Sequence, residues 1–324
     1  MLIESSCIPK YRDLSQPGDD VLAIVPQRLY AVFDGATDTV GLSINGESPG
    51  RFAARQAAMA MVSTALAPDH AARAQARWLI DMNRAIAEGL LAQAPPGTRA
   101  GTTAAAVLDC GDELRFLIVG DSGVRINGTE LIHLHKDVDR IYTAGRIAAF
   151  KRLQTKGWVG DALEQGARQL VAKGLSQAAQ FGLDAHEVES ILRGARQACV
   201  PLLQPDAVSL VESMLLAGIA QGQYGFANRA GHSLGYAVVD GGDTQGADLL
   251  AFSRPKSEVR SIELFTDGYA TCPPDVTLRA WEDEFARVEA LDYAKTAAYP
   301  GVKGSTTTQF SDDRSVLVAH FQSP

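Results

Sequence analysis

The sequence has few of the patterns that would place a protein in a membrane or an oxidising compartment. Its 324 residues include four cysteines, and no two of them form a CxxC pair. We therefore expect buried thiols in a reducing compartment, not disulfide bonds or a zinc site. No apolar run approaches the roughly 18 residues that span a bilayer. The first residues, MLIESSCIPK, lack the basic start and apolar stretch of a signal peptide. A cytoplasmic protein is expected.

The sequence also has fewer positively charged than negatively charged residues. Thirty Lys and Arg residues stand against 38 Asp and Glu residues, which gives a formal net charge of −8. Bulk electrostatics therefore disfavour nucleic acid and anionic membrane surfaces as partners. The six histidines are scattered along the chain, and none belongs to the set of aspartates described below. The oligomeric state leaves no signal in the sequence.

Strand and helix patterns occur in long blocks that do not alternate one by one. Strands are predicted at residues 21–25 and 29–33, followed by a helix at 51–66 and a second helix, capped by Asp69, through RWLIDMNRAIAEGLLAQA. More strands follow, among them LGYAVVD after the block described next, and SVLVAHF closes the chain. Such runs of successive strands favour antiparallel sheets with helices packed outside, an α+β fold. Residues 131–221 have a helical pattern with strand patterns on both sides, which predicts a single domain, 1–324, with a helical insertion.

Acidic residues recur where apolar runs begin or end. They are Asp34 in YAVFDG, Asp121 in VGDSG, Asp267 in FTDG, Asp312 and Asp313 in SDDRSVLVAHF, and Asp19 and Asp20 before the first strand. A strand end holds a carboxylate firmly, as a site needing accurate placement requires. Converging carboxylates repel one another unless cations intervene, and Mg²⁺ and Mn²⁺ prefer all-oxygen ligands. The pattern therefore predicts a site for hard divalent cations, with ordinary Asp-Gly turns as the alternative for Asp34 and Asp267.

The order of these motifs resembles that of the metal-dependent protein phosphatases of the PPM, or type-2C, class. An acidic pair precedes a strand pair ending in AVFDG, and GTTAAAV, LIVGDSGVRI, IELFTDGYA and SDDRSVLVAHF then follow in the family's order. The resemblance implies two packed antiparallel sheets flanked by helices, an αββα sandwich, with the helical insertion as a flap. We expect that flap to govern the choice of protein substrate.

The resemblance also implies a reaction and a set of residues. The reaction is hydrolysis of phosphate monoesters, foremost phosphoserine or phosphothreonine on a protein, by a metal-activated water at a centre of two or three Mn²⁺ or Mg²⁺ ions. Asp34 would bridge two ions, with Asp267 and Asp312 as further ligands, Asp312 being preferred to Asp313. The remaining implied contacts are the Gly35 carbonyl, Asp121 as an outer ligand or a plain turn residue, Asp19 or Asp20 as ligands or loop residues, and Arg12, or else Lys10, at the substrate phosphate.

Two other functions fit parts of the sequence. A haloacid-dehalogenase type phosphatase also begins from an apolar strand and an aspartate, but it needs a carboxylate two positions later, where this chain has Ala36. A degenerate phosphatase domain that serves as a binding or sensing module is the second. The residues after Gly35, Ala36-Thr37-Asp38, lack the family's usual glycines and favour it. Retention of Asp34, Asp267 and Asp312 argues against it.

Overall fold

A computed structural model describes residues 1–36, 41–242 and 249–321. In these residues ten strands form two five-stranded sheets, ordered β1-β10-β9-β6-β7 and β2-β3-β4-β5-β8, with antiparallel pairing throughout. The strands are β1 (Leu2–Ile8), β2 (Val21–Val25), β3 (Leu29–Phe33), β4 (Ala104–Asp109), β5 (Glu113–Val119), β6 (Gly123–Ile126), β7 (Glu130–His133), β8 (Leu249–Pro255), β9 (Ser261–Phe265) and β10 (Arg314–His320). The predicted α+β fold is confirmed.

The apolar sequence of β3 shows how the layers are built. Successive side chains of a strand point to opposite faces. Leu29, Ala31 and Phe33 therefore pack with α1 (Pro49–Leu66) and α2 (Gln75–Gln93), while Tyr30 and Val32 pack against the other sheet. Every residue of β3 is buried because both faces of its sheet are covered.

The second sheet is covered on its outer side by α8 (Leu278–Leu291). Trp281 of that helix lies 5.0 Å from Phe265, measured between ring centroids, and its indole N–H donates to Glu263 of β9 at 2.7 Å. Helices, two packed sheets and a further helix thus follow one another as layers. The predicted sandwich of two antiparallel sheets flanked by helices is confirmed.

Several predicted boundaries are wrong for local reasons. Asp69 does not cap α2, because its carboxylate binds Arg73 and residues His70–Ala72 form a separate 3₁₀ turn; Ala74 is the N-cap. The strand β1 was not predicted. β7 occupies the start of the segment expected to be helical, so the helices begin at Asp137. The predicted strand LGYAVVD makes only isolated bridges, at Tyr236 and Val239.

The chain divides into two compact units. The first contains residues 1–135, 237–287 and 313–324 and therefore both sheets; the second contains 136–236 and 288–312. The helices of the second unit are α3 (Asp137–Thr155), α4 (Gly160–Lys173), α5 (Ala185–Cys199), α6 (Pro205–Ala217) and α7 (Ile219–Gly222). That the two units form a single domain stays a prediction.

The second unit has a buried polar centre of its own. Arg146 of α3 is fully buried and pairs with Glu164 of α4 at 2.6 Å. The same guanidinium donates to the carbonyl oxygens of Ala294 and Gly301, each at 2.9 Å. One buried side chain therefore fixes two helices and the segment that contains Ala294 and Gly301.

Within the described part of the chain, no helix has the length and apolar character needed to cross a bilayer.

The cysteines agree only in part with expectation. All four are free thiols, but Cys199 alone is buried and Cys7 is exposed.

Candidate metal centre

Three of the predicted aspartates come together in the first unit. Asp34, Asp121 and Asp267 each offer a carboxylate oxygen, and these oxygens all lie within 4.8 Å of one another. Asp34 directly follows β3, Asp121 follows β5 by two residues, and Asp267 follows β9 by two residues. The first two strands belong to one sheet and the third to the other, so the group lies where strands of both sheets end.

The backbone around Asp34 is held by the GTT segment. The Asp34 carbonyl oxygen accepts from the Thr103 amide at 2.9 Å and from the Thr102 hydroxyl at 2.8 Å. Gly35 then passes so close to α1 that a Cβ on it would lie 2.4 Å from the carbonyl carbon of Gly50. Real Cβ atoms do not approach backbone so closely, and the glycine is therefore required for this path. Its burial beside Asp34 is compatible with the predicted carbonyl ligand, which stays a prediction.

Asp121 follows a tight turn out of β5. Gly120 has φ +76°, a left-handed conformation that favours glycine, and a Cβ there would lie 2.6 Å from Cγ2 of Thr103. Ser122, on the other side of Asp121, is fully buried, and its hydroxyl lies 2.6 Å from that of Thr103. The turn carrying Asp121 is therefore fixed to the segment that holds Asp34.

Asp267 is exposed, but the residue before it is not. The Thr266 hydroxyl is fully buried, accepts from the amide of Ser315 at 2.8 Å and donates to Oδ2 of Asp20 at 2.8 Å. A hydroxyl that accepts from an amide has its own proton left for the carboxylate. Thr266 thus joins the Asp267 segment to β10 and to the acidic pair before β2.

Asp19 and Asp313 belong to a buried network around Lys10. The Lys10 ammonium lies 3.3 Å from Asp19 and 3.1 Å from Asp313, and the three residues are 8%, 7% and 3% exposed. Asp313 also accepts from the backbone amides of Lys10 at 2.7 Å and Asp19 at 3.0 Å, while Asp19 accepts from the hydroxyl of Ser48, the N-cap of α1. These buried ion pairs and hydrogen bonds connect the residue after β1, the loop before β2 and the residue before β10.

The other predicted residues lie elsewhere. Among the residues that the structure describes, the group of oxygens within 4.8 Å does not include Asp19 or Asp20. Asp312 is in the second unit, where its two carboxylate oxygens accept from the Lys303 ammonium at 3.0 and 2.7 Å. Arg12 is exposed. The ligand roles of Asp19, Asp20 and Asp312 and the phosphate contact of Arg12 stay predictions.

The donor set of the three-aspartate group fits a hard divalent cation. All three groups are carboxylates, and no histidine or thiol is a member. Ionised carboxylates this close raise one another's free energy, and a bound cation removes that cost. Oxygen-only donors match Mg²⁺ or Mn²⁺ better than Zn²⁺, which prefers nitrogen and sulfur. The chemistry of the residues present is therefore that of a magnesium or manganese site.

Sequence reasoning did not assign the hydroxyl groups around the carboxylates. The motifs GTTAAAV and LIVGDSGVRI contain these hydroxyl residues, which are Thr102, Thr103 and Ser122. Their hydrogen-bond partners lie in other segments of the chain. Arg51 was also missed; its guanidinium donates to the Gly18 carbonyl at 2.7 Å and so fixes the loop before Asp19. The only signal in the sequence is that GTT and GDS place hydroxyl residues next to tight turns.

The protein was compared with known families, curated proteins and solved structures. No family model and no curated protein matches it. Solved structures match it along its length. A Mycobacterium tuberculosis serine/threonine phosphatase, PstP/Ppp, is 17% identical, with 100% of both chains covered and a TM-score of 0.45.

Two further matches have the same character. Serine/threonine phosphatase Stp1 from Staphylococcus aureus is 11% identical, with 100% of this chain and 96% of that chain covered and a TM-score of 0.46. The catalytic domain of PstP in complex with two manganese ions is 15% identical, with 98% and 97% covered and a TM-score of 0.44. With such identities and TM-scores these matches carry no argument about activity, which has to rest on this chain's own residues.

Proposed function

We propose that this protein is a metal-dependent phosphatase that hydrolyses phosphate monoesters, with phosphoserine or phosphothreonine on a protein as the substrate. The observation that carries the proposal is the convergence of Asp34, Asp121 and Asp267, from strands of two sheets, with oxygens within 4.8 Å of one another. Three carboxylates at that spacing are costly for a fold without a cation. A turn-forming role would need none of them to meet.

The burial of the three aspartates suggests a different role for each in holding a cation. Asp34 and Asp121 are half-buried and would hold the inner side of a cation site, while the exposed Asp267 would close its outer side. Divalent cations, when bound, supply Lewis acidity toward water and toward phosphoryl oxygens. Because Asp267 is exposed, the site is open to a phosphate carried on another protein. Asp312, Asp20 and the Gly35 carbonyl are proposed as further ligands, and Arg12 as a contact of the substrate phosphate.

A covalent mechanism through Asp34 is not supported by its surroundings. Such a mechanism needs a second carboxylate two residues on, and Ala36 stands there. Ser122 cannot act as a nucleophile from its position, since it is fully buried and bonded to Thr103. We propose attack by water on the phosphorus, for which no phospho-enzyme is required.

A non-catalytic binding module is the second candidate, and one observation favours it. Asp312 is paired through both oxygens with Lys303. Asp19 is likewise paired with Lys10. An internal ammonium can replace a metal ion as the counter-charge of a carboxylate. A domain with such substitutions could bind a phosphorylated partner without hydrolysing it.

Hydrolysis of p-nitrophenyl phosphate and of a phosphothreonine peptide, each with Mn²⁺ and with EDTA, separates the two functions. A phosphatase turns over both substrates with Mn²⁺, loses activity in EDTA, and loses several orders of magnitude of kcat/KM in Asp34→Asn. The matched control is Asp275→Asn, which removes an exposed carboxylate from the loop after β9 and should keep full activity. Peptide binding without turnover at saturating Mn²⁺ would establish the binding module instead.

A further inference from the structure

Thr103 is bonded to the segments of two of the three clustered aspartates. Its amide donates to the Asp34 carbonyl oxygen at 2.9 Å. Its hydroxyl lies 2.6 Å from the hydroxyl of Ser122, the residue after Asp121. Both hydroxyls are buried, Thr103 being 5% exposed and Ser122 0%. A single residue therefore connects the backbone of Asp34 with the side chain of Ser122, the neighbour of Asp121.

The packing around this pair leaves little freedom. A Cβ on Gly120 would lie 2.6 Å from Cγ2 of Thr103, so the turn before Asp121 is packed directly on the threonine methyl group. Thr102, the neighbour, is held between strands by reciprocal backbone bonds with Val239 at 2.9 and 3.0 Å. The backbone of Thr103 is thus held in place. Its side chain contacts the residues on both sides of Asp121, which are Gly120 and Ser122.

The energetics indicate why a hydroxyl is present there. A buried hydroxyl is unfavourable unless it is hydrogen-bonded, and an apolar residue of the same shape would fill the space without that cost. Two carboxylates that repel each other also need an external restraint to keep the spacing that a cation requires. Metal ligands have to be held within about half an ångström of their working positions.

We propose that Thr103 is a positioning residue that sets the spacing between Asp34 and Asp121 for divalent-cation binding, through its hydrogen bond with Ser122. The proposal rests on the proposed metal site. It assigns no contact between Thr103 and the cation or substrate. Its consequence is that removing one hydroxyl group, with no change in charge or shape, weakens cation binding.

Thr103→Val provides the test, because valine keeps the shape of threonine and lacks its hydroxyl. Isothermal titration of metal-free protein with Mn²⁺ should show Kd raised about tenfold, the lower end of the effect of residues that orient metal ligands. Thr103→Ser, which retains the hydroxyl, should bind Mn²⁺ within about twofold of the wild type on the same account. Thr64→Val is the control, since Thr64 is equally buried, in α1.

Two more variants distinguish positioning from a stability effect. Ser122→Ala should reproduce the loss of affinity, and the double variant should lose no more than either single one, because both remove the same bond. In an Asp121→Asn background, Thr103→Val should leave Mn²⁺ affinity unchanged. Should Thr103→Val fail to fold, Ser122→Ala carries the test alone.

The outcomes separate this inference from the proposed function. Wild-type Mn²⁺ affinity in both Thr103→Val and Ser122→Ala, whatever their melting temperatures, overturns the positioning role and leaves the metal site standing. Absence of Mn²⁺ binding by the folded wild-type protein overturns the metal site itself, and the positioning role with it.

Discussion

Neutralising Asp267 should stabilise the metal-free protein while removing its response to metal. The variant is Asp267→Asn, which keeps the size and most hydrogen bonding of the side chain. At the 4.8 Å limit between oxygens, two unit charges in water repel by about 1 kcal/mol. Asp267 has two such neighbours, so its neutralisation relieves about 2 kcal/mol. The dielectric of water is used because Asp267 is exposed.

The expected shift in melting temperature follows from the size of the protein. One kcal/mol corresponds to about 2–4 °C for proteins of 150–250 residues, and to less for larger ones. We therefore expect metal-free Asp267→Asn to melt about 4 °C above the metal-free wild type. In 1 M salt, where the screening length falls to about 3 Å, most of that gain should disappear.

Calorimetry with and without Mn²⁺ completes this test. Mn²⁺ at about 100 times its Kd should stabilise the wild type by about 2.7 kcal/mol, and the variant by much less. Asp275→Asn, from the same loop and equally exposed, controls for the loss of a negative charge and should resemble the wild type in both states. A metal-free Asp267→Asn protein that melts at or below the wild type, with the same Mn²⁺ shift, would refute the reasoning.

Three further predictions concern the metal, a buried ion pair and pH. EDTA should abolish phosphatase activity and Mn²⁺ or Mg²⁺ should restore it, with Zn²⁺ a poor substitute because the donors are all carboxylates; full activity of a metal-stripped sample would contradict this. Arg125→Met should cost about 3–5 kcal/mol of unfolding free energy in a denaturant titration, since it leaves the fully buried Glu263 without its cation. Arg279→Met, which breaks an exposed pair with Asp283, should change stability by less than about 0.5 kcal/mol. The Asp184 amide and the Lys156 ammonium lower the pKa of Glu187 to about 2 from an ordinary 4.5, so the stability it adds is present above pH 4.5 and is lost as pH falls toward 2; Glu187→Gln should flatten the melting-temperature profile over that range.

The sequence was informative wherever one local pattern decided the outcome. β3 was predictable because its five apolar residues run into a polar turn, and β9 because the apolar residues of SIELF run into Thr-Asp-Gly. Asp34 and Asp267 follow these strand ends. The segment LRAWEDEFARVEAL predicts a helix, and α8 has those bounds, Leu278–Leu291. A convergent acidic group could be predicted from the recurrence of carboxylates at strand ends, with ordinary Asp-Gly turns as the alternative.

Long-range partners could not be predicted. Thr103 and Ser122 are 19 residues apart, and Lys10 and Asp313 are 303 apart. Their hydrogen bonds exist only after the strands beside them have paired, β4 with β5 and β1 with β10, so no local pattern predicts them. Asp69 shows that a local pattern can also mislead. The residue is a favourable N-cap type, but its carboxylate binds Arg73 instead of a helix amide.

The most direct test of the metal centre is anomalous X-ray diffraction from crystals grown with Mn²⁺. We predict anomalous peaks about 2 Å from carboxylate oxygens of Asp34, Asp121 and Asp267, and their loss in crystals of Asp34→Asn. Crystals of protein shown to be active with Mn²⁺ that have no peak among these three carboxylates, or peaks only elsewhere, would contradict the account.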